Sequence, residues 1–62
     1  MRTKYRLRVE FDNGNVWVFG CYSENILEAI EVTEIYCKRE FEVAIKQIIV
    51  YTDSKMVMRI DY

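Results

Sequence analysis

The sequence predicts an α+β fold of ββαββ order: a four-stranded, mostly antiparallel sheet with one helix packed on one face. Three observations lead there. Residues 3–11 alternate polar and apolar side chains with the period of a half-buried strand. Two turn-forming clusters, Asp12-Asn13-Gly14-Asn15 and Asp53-Ser54, each lie between strand-like runs. Between those hairpins, residues 24–38 change to a helical period.

In the first strand Tyr5, Leu7, Val9 and Phe11 share one face, while Lys4, Arg6, Arg8 and Glu10 share the other. Asn13-Gly14 is a strong hairpin signal, because a type I′ turn needs positive φ at both central residues. The returning strand, residues 16–22, offers Val16, Trp17, Val18 and Phe19 to both faces, so its register stays open. A two-residue loop pairs Phe11 with Val16 and puts Trp17 and Phe19 outside, beside Arg8 and Arg6. A three-residue loop with a glycine bulge turns Trp17 and Phe19 inward and Val16, Val18 and Gly20 outward. A slip of one residue inverts the whole strand. The need of a small domain for bulky core residues favours the inward tryptophan.

Ser23 is positioned to cap a helix over residues 24–38, with Glu24 near the positive end of its dipole. Ile26, Ala29, Ile30, Thr33, Tyr36 and Cys37 gather on its apolar side, and Ile35 falls among Glu24, Glu28, Glu31 and Glu34. Residues 43–52 and 55–62 form the second hairpin. A two-residue loop at Asp53-Ser54 pairs Tyr51 with Met56, Ile49 with Met58, and Ile45 with Tyr62 on the core face. Lys46 then meets Asp61, Ile48 meets Arg59 and Val50 meets Val57 on the other face.

At 62 residues, without proline, linker or low-complexity stretch, residues 1–62 read as a single domain. No apolar run nears the roughly 20 residues of a membrane span, and no signal-peptide pattern opens the chain, so a cytoplasmic location is expected. Cys21 and Cys37 flank the helix, roughly 20 Å apart at 1.5 Å per residue, too far for a disulfide. With no histidine, they cannot complete a zinc set. They read as small buried hydrophobes in a reducing compartment.

The net charge is −1, unevenly spread. Arg2, Lys4, Arg6 and Arg8 outweigh Glu10 and Asp12 in the first hairpin, whereas six glutamates outweigh Lys38 and Arg39 between residues 23 and 42. A basic sheet backed by an acidic helix follows. One helix covers one face, so the other meets water or a partner. In either register that face keeps Lys4, Arg6, Arg8, Lys46 and Arg59, with Ile48, Val50 and Val57 between them. Lysine and arginine stems can shield such valines, yet an apolar surface of this size more often marks an interaction site.

The expected function is a non-catalytic module that binds a protein partner, or itself as a homodimer, through this face. Arg6, Arg8, Trp17, Phe19 and Arg59 are its candidate residues. The alternative is single-stranded nucleic acid, with bases stacked on Trp17 and Phe19 and phosphates held by Arg6 and Arg8. A net charge of −1 and the acidic helix weigh against it. The glutamate row could imitate nucleic acid, but four acids are few for that and the basic sheet works against it, so a solvated helix face is the better account. No catalytic, cofactor-binding or metal-binding set emerges: there is no histidine, no activated nucleophile and no glycine-rich phosphate loop.

Overall fold

In a computed structural model that describes every residue from Met1 to Tyr62, the chain builds two hairpins joined by a helix. They are β1 (Thr3–Phe11) with β2 (Val16–Ser23), α1 (Ile26–Glu40), and β3 (Ile45–Thr52) with β4 (Lys55–Asp61). The sheet order is β2-β1-β3-β4, and every neighbouring pair is antiparallel. β1 is therefore interior, and β2 and β3 run parallel to each other on its two sides. Parallel strands need a crossover of about a dozen residues or more, which α1 supplies. No helix is long and apolar enough to cross a membrane.

The first hairpin adopts the three-residue loop. The amide of Gly14 donates to the Phe11 carbonyl at 2.9 Å, and the amide of Phe11 donates to the Asn15 carbonyl at 2.9 Å. Gly14 has φ +88°, a left-handed position that strains residues bearing a Cβ. Asn13 Oδ1 accepts from the Asn15 amide at 3.0 Å, which fixes the loop locally. The ladder then pairs Val9 with Trp17 and Leu7 with Phe19. Trp17 and Phe19 accordingly stand on the helix side, and Val16, Val18 and Gly20 stand on the outer side.

The second hairpin departs from its expected register. Asp53 and Ser54 have φ of 51° and 65°, the pair of positive angles a type I′ turn requires. Tyr51 pairs with Met56 as expected, but the register shifts beyond it, so Val50 pairs with Met58 and Ile49 with Arg59. Val57 is the extra residue of this β-bulge. Ile48 and Val50, expected outside, are fully buried, while Ile49 moves to the outer face. The expected pairing of Lys46 with Asp61 is replaced by Gln47 with Asp61.

α1 starts at Ile26 rather than at residue 24, because Asn25, not Ser23, is its cap. Asn25 Oδ1 accepts from the Glu28 amide at 2.8 Å. Buried Ser23 braces this entry, its hydroxyl 2.9 Å from Glu28 Oε1 and 3.0 Å from the Asn25 carbonyl. Lys38 and Arg39 occupy the last turn, where the dipole is negative. The Phe41 amide donates to the Cys37 carbonyl at 2.9 Å and ends the helix.

The core is small. Leu7, Val9, Phe11, Ile48 and Val50 from the sheet meet Ala29, Ile30 and Cys37 from the helix. Thr33 is buried among them, its hydroxyl returned to the Ala29 carbonyl at 2.9 Å. Ile35 is exposed, as its place among the glutamates predicts. Tyr36, expected on the buried side, sits at its border, half exposed and edge-on to Phe19 at 5.3 Å. α1 lies over β2 and β1, so nothing covers the opposite face of the sheet.

Candidate interaction face

Alternation along β1 and the two registers compose the outer face row by row. One row runs Val18, Arg8, Ile49, Arg59, and the next runs Val16, Glu10, Gln47, Asp61. Towards the other end lie Gly20, Arg6 and Tyr51, then Tyr22 and Lys4. Apolar groups thus flank a central basic strand on both sides.

The carboxylates gather at one end of this face. Glu10 lies 4.0 Å from Arg8 and 3.8 Å from Lys46, and Asp61 lies 3.2 Å from Arg59. Asp61 also accepts from Gln47 Nε2 at 3.0 Å, and this bond, with that from Arg59, holds its carboxyl below the usual carboxylate range. Solvent and salt screen such exposed pairs, so they orient the side chains more than they stabilise the fold. Lys4 and Arg6, at the other end, have no ion-pair partner. Lys4 Nζ sits 5.9 Å from the Tyr22 ring centroid, within cation–π range. Here the surface dips into an open groove of about 520 Å³, lined by Lys4, Arg6, Arg8, Val18, Tyr51 and the turn Thr52-Asp53-Ser54. Gly20 borders Arg6 and leaves open space where a side chain would stand.

Of the residues singled out from sequence, Arg6, Arg8 and Arg59 share this face. Trp17 and Phe19 do not: both stand on the helix side, where their strand partners Val9 and Leu7 are buried. Trp17 lies 5.5 Å from Phe41, which lies 5.0 Å from Phe11 and 6.4 Å from Tyr36. Because β2 is an edge strand, Trp17 remains 52% exposed despite facing inward. Sequence reasoning missed Ile49 and Tyr51, because β3 is apolar on both faces near its middle and only its pairing with β1 fixes which face is which.

A second hollow, about 670 Å³, opens between the far flank of α1, the 41–45 segment and Tyr62. Apolar Ile35, Phe41, Val43 and Ile45 line it beside Glu31, Glu34 and Glu42. Tyr62 donates its hydroxyl to Glu34 across this hollow. Partial burial, and then this carboxylate, push the Tyr62 phenol above its usual range. The native state therefore keeps this proton where the unfolded chain has lost it. The contribution is complete below about pH 10 and is lost as the pH rises further. Stability measured from about pH 9 to 11 should fall more steeply in the wild type than in Tyr62→Phe. Parallel curves would show that the contact contributes nothing.

Both cysteines are free thiols, and burial pushes the Cys37 thiol up, which keeps it protonated and unreactive. No three histidine, cysteine or carboxylate side chains come together in a way that could hold a metal ion. Comparison with protein-family models, with curated proteins and with solved structures finds no match for this chain.

Proposed function

We propose that the chain is a non-catalytic interaction module whose outer sheet face binds a carboxylate-bearing segment of a partner protein. The observation that carries this reading is the pair Lys4 and Arg6, which form no ion pair and outnumber, with Arg8, the one acid, Asp53, in a groove that also holds Val18 and Tyr51. Apolar groups around a basic stripe suit a protein interface, where buried apolar contact supplies affinity and charge supplies orientation and encounter rate. Single-stranded nucleic acid is less well served, since Trp17 and Phe19 share no face with Arg6 and Arg8.

The test is a titration of the labelled protein, followed by NMR, with a short peptide of alternating glutamate and valine. Shifts should be confined to the amides of β1, Gly20 and the 51–54 turn. They should weaken with salt and decrease at least about tenfold in affinity in the Arg6→Ala/Arg8→Ala variant, a loss of about 1.4 kcal/mol. Because both arginines are surface residues, that variant should keep its unfolding midpoint. Equal binding by the variant, or tighter binding of an oligothymidylate of similar length, would refute the proposal.

A further inference from the structure

The two edges of the sheet are not treated alike. β4 carries Lys55, Arg59 and Asp61 and is kinked by the bulge at Val57, features that discourage another strand from pairing there. β2, Val16-Trp17-Val18-Phe19-Gly20-Cys21-Tyr22-Ser23, has no charged residue and no proline. Its register with β1 runs unbroken from Thr3 and Ser23 to Glu10 and Val16. None of the usual protections of an edge is present on it.

Its backbone is ready to pair. The bond from the Phe11 amide to the Asn15 carbonyl sets the alternation of the ladder, so Trp17, Phe19, Cys21 and Ser23 turn their backbone groups towards β1. Val16, Val18, Gly20 and Tyr22 therefore turn theirs to the open side. The only protein group near any of these is the Cys21 thiol, 3.8 Å from the Tyr22 carbonyl. Exposed apolar side chains border the same edge: Val16, Val18 and Tyr22 on the outer face, Trp17 and Tyr36 on the helix side.

We infer that β2 is a self-pairing edge, through which two copies of the chain join antiparallel into one continuous sheet. The four free residues are spaced evenly about Phe19. A two-fold axis at Phe19 sets Val18 opposite the partner's Gly20 and Val16 opposite the partner's Tyr22, and so uses every outward N–H and C=O. On the helix side it brings Trp17 against the partner's Cys21, closing the exposed flank of the tryptophan. The valine-to-glycine pairing places a branched side chain against one that leaves room for it. Charge does not oppose the contact. The basic β1 strands of the two copies end up three strand spacings apart, about 14 Å, beyond the screening length at physiological salt. This edge shares Val18 and Gly20 with the rim of the outer groove but none of its basic residues, and the inference does not depend on the function proposed for that groove.

The experiment is sedimentation equilibrium of the full chain over a concentration series, with Trp17 fluorescence read in parallel. A species of twice the 7.5 kDa chain mass, with tryptophan emission that moves red on dilution, is the expected result. Val18→Lys should shift the chain to monomer. Val18→Pro should do the same, because the N–H it removes faces away from β1, so the monomer fold tolerates it. Arg6→Ala/Arg8→Ala should leave the dimer intact, which separates this contact from the outer groove. The register has its own check: on mild oxidation Trp17→Cys should form a covalent dimer that disappears when Cys21 is also changed to serine. A monomer at every concentration, or a dimer that survives both Val18 variants while folded, would overturn the inference.

Discussion

Phe11→Ala should destabilise the protein by about 3–5 kcal/mol, the usual cost of emptying a buried aromatic site. Phe11 is almost wholly buried, and its ring lies 5.0 Å from that of Phe41. Phe41 in turn contacts Trp17 and Tyr36, so this one ring anchors the cluster that fastens the end of α1 to the first hairpin. Removing it leaves a cavity and frees Phe41 from its seat. A chain of this length has a total stability of about 3–9 kcal/mol, so the variant should be partly unfolded at room temperature. Urea titration followed by circular dichroism gives the answer directly. A loss below about 1 kcal/mol would mean that the neighbouring rings collapse into the space and that Phe11 is not the anchor.

The second large effect distinguishes two adjacent isoleucines. Ile48→Ala should cost about 2–5 kcal/mol, because Ile48 is fully buried between β1 and β4. Ile49→Ala should cost less, about 1–2 kcal/mol, because Ile49 faces outwards between Arg8 and Arg59 and is only half-buried. The contrast tests the register of the whole C-terminal hairpin, not one contact. Reversed magnitudes would place the 45–52 strand one residue out of register and move Ile49 and Tyr51 off the outer groove.

That pair also shows where sequence reasoning stops. The order ββαββ, both turns and the exposure of Ile35 were legible, since each depends on local period or on turn chemistry. The face of each strand was legible only for β1, where Lys4, Arg6 and Arg8 alternate strictly with Tyr5, Leu7 and Val9. β3 reads Ile45-Lys46-Gln47-Ile48-Ile49-Val50, apolar on both faces near its middle, so either register satisfies it. Pairing with β1 decides between them, setting Ile48 beside Val9 and Val50 beside Leu7, and the bulge at Val57 then brings Met58 and Ile60 of β4 onto the same face. Likewise Gly14 suits both loops of the first hairpin, and the packing of Phe19 and Trp17 against Tyr36 and Phe41 accompanies the one adopted. The basic half of the candidate face was therefore visible in advance; of its apolar half, Val16 and Val18 followed from the favoured register of the first hairpin, and Ile49 and Tyr51 did not. The helix start was misplaced for a simpler reason: Ser23 and Asn25 are both good caps, and only burial assigned them different tasks.

The interior place of β1 has a consequence for the time course of folding. Each hairpin closes a short loop, and such steps take microseconds. The pairing of β1 with β3 joins Arg6 to Tyr51, across most of the chain, and costs the entropy of closing everything between. During synthesis the first strand emerges early yet cannot bond along its second side until the ribosome has released the third. Between those moments one flank of β1 stays unsatisfied, and the amides of Arg6, Arg8 and Glu10 should be the last of their strand to gain protection from hydrogen exchange during refolding.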